Sequence, residues 1–406
     1  MRNSTEIPEG YKDSPLGVIP KEWLVMRLGD LVDIRSGESP SLFDLGHVGA
    51  YPYVKVDDLN NCSKYQRRSR EYAKIAVNAV KRGSTIFPKR GAAIMNNKVR
   101  LADCDILMDS NMMAIMPNTE YLDEEFLYYR IIYEKLYRIA DTSTIPQINN
   151  KHIIPYKIPL PSLSEQKRIV NLLNTWDKAI EKQTELIEKL KLRKRGLMQQ
   201  LLTGKKRLPG FTSKWKTVHI SDHFNIVMDK NDGKGHVPMT ISAKYGLISQ
   251  EEKFDRVVAG NSLNNYTLLR SGDFAYNKGN SNLYEMGCIY RLKEKSAIVP
   301  FVYICFRVND NTCCQFFYHF FINHGLDRQL KRIITSGARS DGLLNVSSED
   351  FMKLKIPYPE LSEQAAISRI IDQADNELRC ATESLRSFQS QKRGLMQQLL
   401  TGKKRI

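Results

Sequence analysis

IPLPSLSEQKRI, residues Ile158 to Ile169, returns as IPYPELSEQAAI at Ile356 to Ile367, and KRGLMQQLLTGKKR at Lys194 to Arg207 returns letter for letter at Lys392 to Arg405. Every matched position lies 198 residues beyond its first occurrence, so nothing is gained or lost between the copies, and about half of the paired positions are identical. A repeat this long makes the chain two successive units, each a variable segment followed by a common one.

The common segment is read from its period. Apolar residues fall at Ile169, Leu172, Trp176, Ala179, Leu186, Leu190, Leu197 and Leu201 in the first copy. In the second they fall at Ile367, Ile370, Ala374, Leu378, Ala381, Leu385, Phe388, Leu395 and Leu399. This 3-4 alternation, sustained over five heptads, predicts coiled-coil helices. Ser164 and Ser362 are the expected N-caps, and Gly204 and Gly402 the expected stops. Roughly 38 residues at about 1.5 Å each make a rod of about 55 to 60 Å. With two such helices in the chain, each is the other's simplest partner, and antiparallel pairing returns the C-terminal LLTGKKRI toward the N-terminal entry. A bare scaffold hairpin accounts for the heptads. It does not account for KRGLMQQLLTGKKR, mostly off the seam, being the same in both copies.

At 406 residues with 42% hydrophobic and 26% charged content, the chain has the composition of a soluble protein of several domains. No apolar run approaches bilayer length and the first residues, MRNSTEIPEGYKDS, lack the apolar core of a signal peptide, so a cytoplasmic location is expected. The seven cysteines include no CxxC pair and read as buried, reduced thiols rather than zinc ligands or disulfides. Lys and Arg outnumber Asp and Glu by 61 to 45, a net +16 that suits a polyanionic partner, nucleic acid before membrane because no basic amphipathic anchor appears.

The two variable segments begin alike. GVIPKEWLVMRLGDLVDI (Gly17 to Ile34) and LPGFTSKWKTVHISDHFNI (Leu208 to Ile226) each place a Pro before a Trp and an Asp seven residues after it: Trp23 with Asp30, Trp215 with Asp222. Short β-rich runs follow at Tyr51 and Val237, then a Gly turn, an apolar strand and a basic turn from Val80 and from Leu269. LDEEFLYYRIIYEKLYRI reads as an amphipathic helix, and the aromatic region Phe301 to Phe321 as strand then helix. The expected architecture is α+β: globular domains over 1–157 and 209–355, separated by helical spacers over 158–208 and 356–406 that pair as an antiparallel coiled coil, a pseudo-two-fold internal repeat.

Motifs for catalysis are missing. LTGKKR lacks the leading glycine and the Ser or Thr of a phosphate-binding loop, and NDGKGHVP, with Gly233 and Gly235, lacks the third glycine of a dinucleotide turn. No Asn-Pro-Pro-Tyr or Asp-Pro-Pro-Tyr loop is present, and Asp57 with Asp58 reads as a solvated loop rather than a nuclease cluster. The chain reads as a binder. In the first segment Lys64, Arg67, Arg68 and Arg70 form a basic run, and Lys89, Arg90, Asn96, Asn97, Lys98 and Arg100 surround an AAIM turn. In the second, Lys244 lies in a turn, Asn277, Lys278, Asn280, Ser281 and Asn282 occupy the matching basic turn, and Arg339, Ser340 and Asp341 lie in a polar loop. Arg, Lys and Asn are the side chains that pair with base edges or neutralise phosphates.

Two dissimilar segments separated by near-identical helices, each opened by P-x-L-S-E-Q and closed by KRGLMQQLLTGKKR, resemble the specificity subunit of a type I restriction-modification system. The likeness covers essentially the whole chain, including the GVIPKEW, FPKRGAAI and NMMAIMP runs. It implies two target recognition domains, each reading one half of a bipartite site in double-stranded DNA, with differing, hence asymmetric, half-sites. It also implies two methylation subunits that use S-adenosylmethionine to methylate adenine N6, and restriction subunits, using ATP and Mg, that can complete the assembly. The chain itself would hold no cofactor or metal and perform no catalysis. Gln199, Gln200, Gln397 and Gln398, on the repeated helix ends, are the candidates for docking the methylation subunits. The competing readings are a coiled-coil scaffold joining protein partners and a self-sufficient methyltransferase or nuclease.

Overall fold

A computed structural model of the chain describes residues 7–76, 78–142, 145–254, 260–279, 284–334 and 344–406. They form two units: one built from 1–184 together with 383–406, the other from 185–382. Each long helix therefore gives its first half to one unit and its second half to the other. We label the helices that matter below α1 (Glu124–Glu134), α2 (Leu163–Leu201), α3 (Cys314–Ile322) and α4 (Leu361–Leu400).

The two units share a sheet order. In the first, strands Val32–Ser36, Met112–Pro117, Thr85–Pro88 and Arg100–Ala102 lie side by side antiparallel, with Tyr65–Gln66 added parallel at the edge. In the second, Phe224–Ile226, Ile304–Val308, Phe274–Asn277 and Cys288–Arg291 repeat that order, antiparallel throughout. The entry run and the proline run are strand partners: Leu24–Arg27 pairs with Lys157–Leu160, and Lys216–His219 with Lys355–Tyr358. These are two-stranded ribbons, so every strand is an edge and the prolines need give no inner ladder bond. The first unit adds a second sheet around Tyr51–Val54, and the second unit a hairpin, Met239–Ser242 with Gly246–Ser249.

The repeated SEQ and KKR letters meet at one place in each unit. Glu165, 1% exposed, takes the Nε and Nη2 of Arg405 at 3.0 and 2.9 Å and the indole N–H of Trp23 at 3.1 Å. Glu363, likewise 1% exposed, takes the Nε and Nη2 of Arg207 at 2.7 and 2.8 Å and the indole N–H of Trp215 at 2.8 Å. The adjacent glutamine is equally committed. Gln166 Oε1 accepts from Asp123 N, and Gln364 Oε1 from Cys313 N, at the starts of α1 and α3, while each amide nitrogen donates to the carbonyl of Pro161 or Pro359. Gly402 (φ +72) ends α4 so close to the entry segment that a Cβ would lie 2.4 Å from the Pro20 ring. No local pattern marks Glu165, Glu363 or the two arginines, because their partners lie between 142 and 383 residues away.

Residue numbers rise along α2 as they fall along α4: in the first unit Glu165 meets Arg405 and Asp177 meets Lys392, and in the second Lys194 meets Asp375 and Arg207 meets Glu363. The helices are antiparallel, as expected. Trp176 and Phe388 cross edge-to-face on the seam at 6.0 Å. In the middle of α2 the seam runs through buried Ile187, and Leu186 is exposed, a shift of one residue from the heptad assigned above. Ile187 stands where Leu385 stands in α4, so the two copies keep one phase. Both helices also start before the expected serine caps, at Leu163 and Leu361; Ser162 Oγ accepts from Glu165 N instead. Of the cysteines, Cys288 and Cys305 are buried, Cys62, Cys104, Cys313 and Cys314 are partly exposed, and Cys380 is exposed on α4, which corrects the expectation of buried thiols throughout.

A buried polar cluster joins the globular part of each unit to the helix pair. In the first, the Tyr129 hydroxyl lies 2.6 Å from Asn174 Oδ1 and against Asp177 Oδ2, and the buried Lys64 ammonium donates to Glu125, Tyr129 and Asn174. The matching positions of the second are His319, Asp372, Asp375 and Lys194: the His319 Nε2 lies 2.8 Å from Asp372 Oδ1, and Lys194 pairs with Asp375. Burial holds the His319 imidazole below its ordinary 6.5, outweighing the hydrogen bond with Asp372, and Nδ1 has no partner to receive a second proton.

Two expectations follow for unfolding of the full chain. Arg405→Ala leaves buried Glu165 without its guanidinium and lowers stability by about 2 kcal/mol in urea titration, whereas Lys403→Ala, at an exposed position just before it, stays within about 0.5 kcal/mol. Because His319 is more basic unfolded than folded, its contribution is present above its ordinary value and is lost as pH falls through the folded one. Thermal unfolding at about pH 7.5 and about pH 5.5 should therefore show a loss on acidification that is smaller in His319→Tyr, which carries the residue of the other unit.

Candidate nucleic-acid interface

In the first unit the candidate basic residues separate into outward and inward groups. Arg67 and Arg68 point outward from the loop after Tyr65–Gln66; Arg67 is 75% exposed with Asp103 only at 4.0 Å. Lys64, from the same run, is buried against Glu125, and Arg70, though 61% exposed, is paired with buried Asp58 at 3.0 Å. Lys89 and Arg90 follow the strand Thr85–Pro88, whose end is pinned by Lys89 N to Asn111 O and by Ile148 N to Lys89 O. Arg90 is exposed. Lys89 is half-buried, and burial first, then the neighbouring Arg90, holds its ammonium below the usual lysine range.

The AAIM turn is the short helix Ala92–Met95, opened by Gly91 at φ +80 and closed by exposed Asn96. Lys98 is half-exposed beyond it. Asn97 and Arg100 are used inside the fold. The Asn97 amide donates to Ile132 O at 3.0 Å and accepts from Leu136 N at 2.9 Å, bracing the break after α1. Arg100 gives Nε to Cys62 O, Nη1 to Val99 O and Nη2 to Leu59 O, at 2.7 to 2.9 Å. The outward set of this unit is thus Arg67, Arg68, Lys89, Arg90, Asn96 and Lys98.

In the second unit Asn277 Oδ1 accepts from Gly279 N, and Lys278 reaches Val346 O at 3.4 Å while its own carbonyl accepts from Leu344 N, so both side chains are partly engaged. Asn280, Ser281 and Asn282, and Arg339, Ser340 and Asp341, lie outside the described residues. Lys244 is exposed at the tip of the hairpin, with Tyr245 beside it, an aromatic the sequence reading passed over; the cue was a KYG turn between two alternating apolar runs. The NDGKGH loop is stitched rather than open: His236 lies 2.9 Å from Asp232 Oδ1 and 2.9 Å from Ser296 Oγ. Gln199, Gln200, Gln397 and Gln398 are exposed on α2 and α4. Their carbonyls accept the bonds that finish the helices, from Thr203 and Lys206 and from Thr401 and Lys404.

Chemically the arrangement offers cations, amides and an aromatic on well-anchored loops, which suits contact with phosphates and base edges. Burial pushes the Cys288 thiol up to about 11 and the Cys305 thiol up to about 12, away from thiolate chemistry. Among the described residues one group has metal-ligand spacing, His319 with Asp372 and Asp375, and hydrogen bonds and the Lys194 ammonium already occupy it. No helix among the described residues is long and apolar enough to cross a membrane.

A family model described as the type I restriction modification DNA specificity domain matches twice, over residues 20–192 and 212–384. Type I restriction enzyme MjaVIII specificity subunit of Methanocaldococcus jannaschii is 22% identical over 98% of the chain and 96% of its own length. A structure titled as the basis of complex assembly and conformational transition of the type I R-M system aligns with a TM-score of 0.61 and 16% identity, over 95% of the chain and 99% of its own length. The type I restriction-modification S subunit from M. genitalium aligns at 0.56 and 18%, over 93% and 96%. At these identities the structures speak for the fold.

The division between inward and outward cations is measurable. Arg100→Ala removes three bonds to backbone carbonyls and is expected to cost about 2 kcal/mol in urea unfolding, while Arg90→Ala should change stability by no more than about 0.5 kcal/mol.

Proposed function

Since the chain belongs to the type I restriction-modification DNA specificity family, carrying its domain twice, we propose that each unit reads one half of a bipartite, asymmetric site in double-stranded DNA. The chain is the specificity subunit of such a system, the part that recognises DNA sequence. The observation that carries the proposal is a shared scaffold with unlike loops. Sheet order and the Glu–Arg–Trp contact repeat, whereas among the described residues the outward candidates do not: Arg67, Arg68, Lys89, Arg90, Asn96 and Lys98 in one unit, Lys244 in the other. Two readers on one design with different side chains select two different half-sites.

Two methylation subunits dock on the repeated helix ends, with Gln199, Gln200, Gln397 and Gln398 outward on equivalent turns, and use S-adenosylmethionine to methylate adenine N6. Restriction subunits using ATP and Mg add cleavage. This chain supplies recognition in the cytoplasm and leaves the chemistry to them. Equivalent surfaces on one chain suit two identical partners, because each copy can meet the same patch.

Methylome sequencing of the host, with the wild-type gene and with Lys89, Arg90 and Lys98 replaced together by Ala, tests this. One half-site is expected to relax or be lost while the base preferences of the other persist, since phosphate contacts set affinity and base contacts set individual positions. Methylation independent of this gene would show that the chain acts as a scaffold without reading DNA.

A further inference from the structure

We propose that the hairpin Met239–Ser249 enters a DNA groove, with Tyr245 placed against a base or sugar and Lys244 on a phosphate. This rests on the reading above and deepens it by naming the reading element of the second unit.

The hairpin pairs Met239 with Ser249, Thr240 with Ile248, Ile241 with Leu247 and Ser242 with Gly246, leaving Ala243, Lys244 and Tyr245 as its tip. Tyr245 is 67% exposed there. Lone exposed aromatics are common on surfaces and usually mean nothing. This one differs in how firmly its support is fixed. The Tyr290 hydroxyl donates to Ala243 O at 2.9 Å, and the Tyr290 ring lies under Gly246, where φ is +84 and a Cβ would stand 3.3 Å from the ring. The Tyr303 hydroxyl accepts from Ile241 N at 3.3 Å and meets Thr240 Oγ1 at 3.1 Å, and the Lys253 ammonium donates to Ile241 O. Gln250 N closes the far end on Pro238 O. Two partly buried tyrosines thus hold a short ribbon in place so that an aromatic ring stands in water, and a preset element loses less entropy on binding than a mobile loop.

The tip's chemistry selects the partner. The Lys244 ammonium lies 4.9 Å from the Tyr245 ring centroid, placing a cation and a π-face side by side. Packing on base edges, such as a thymine methyl, or on sugars uses the ring, and the ammonium neutralises phosphate. A two-stranded β-ribbon also fits the major groove, about 12 Å wide. With a net +16 on the chain, a polyanion is the complementary surface. Among the described residues the first unit has no counterpart: after Tyr51–Val54 the chain turns into the short helix Val56–Asn61, whose Asp58 is buried against Arg70. A ribbon present in one unit alone makes the two half-sites differ in kind of contact as well as in bases.

The test uses the full complex purified from its host, with Tyr245→Ala and Lys244→Ala compared with wild type on a duplex carrying the methylated site and on a scrambled duplex, across a potassium chloride series. Tyr245→Ala is expected to weaken binding to the target duplex by roughly 10-fold, the scale of one lost base-edge contact, and to relax the second half-site in the methylome while the first is unchanged. Lys244→Ala should lower affinity for both duplexes alike and reduce the slope of log affinity against log salt by about 1. Both positions are exposed, so thermal unfolding should not move; unfolding at lower temperature would overturn the assignment in favour of a structural role. Unchanged affinity and methylome in Tyr245→Ala, with wild type still discriminating the two duplexes, would overturn the hairpin's role and leave the function reading standing. Wild type failing to discriminate would instead overturn that reading. Loss of partner subunits from the Tyr245→Ala complex would reassign the tip to a protein contact.

Discussion

Each unit depends on a buried carboxylate that cannot be left alone. Glu165 and Glu363 are almost wholly withdrawn from water, and a lone carboxylate there would be prohibitively costly. The guanidinium fork matches both oxygens, and the tryptophan indole fills a remaining acceptor site. This one contact draws in three separate stretches: the entry strand through its tryptophan, the start of a long helix through the glutamate, and the end of the other helix through the arginine. The neighbouring glutamine then fixes the start of α1 or α3. In the first unit the arginine, Arg405, lies on a stretch separated from the rest of that unit, so the unit closes only when its two stretches meet.

Such a closure has a kinetic consequence. Glu165 and Arg405 are 240 residues apart, and the entropy of bringing distant segments together precedes any gain from their contact. The second unit uses one continuous stretch, 185–382, and its clasp spans 156 residues. Physical reasoning therefore puts the second unit's assembly ahead of the first's whenever both begin from the full chain. The C-terminal GKKR belongs to the first unit, held there through Arg405.

Much of this architecture was legible because duplication is a periodic signal and heptads are another. The copies, the helices, their glycine stops and the antiparallel pairing all follow from spacing. The exceptions have local causes. Leu186 and Ile187 are equally apolar, and the copy with Leu385 in the matching place, not hydrophobicity, decides which faces the seam. Ser162 caps α2 rather than Ser164 because the helix begins directly after the Pro161 run. The candidate interface was legible only as composition. Asn97, Arg100 and Lys64 have the residue types expected of a DNA contact, yet carbonyls and carboxylates across the fold claim them. Whether a cation faces inward depends on partners tens of residues away, and no local pattern records them.

The comparison between copies goes further than either copy alone. Where both units keep a residue, as with the glutamate, the arginine, the tryptophan and the lysine of each Lys–Asp pair, it holds the scaffold. Where they differ inside, the change is matched: Tyr129 with Asn174 in one cluster becomes His319 with Asp372 in the other, so that a donor and an acceptor are still paired. Where they differ outside, no such matching is visible. Arg67, Arg90 and Asn96 stand on loops for which the second unit has other residues, and Tyr245 stands on a ribbon for which the first has a short helix. Packing constrains the interior of both copies in the same way, because a buried polar group must find its partner in the fold. An outward group is free of that demand, so its identity in each unit is open to selection by what that unit touches.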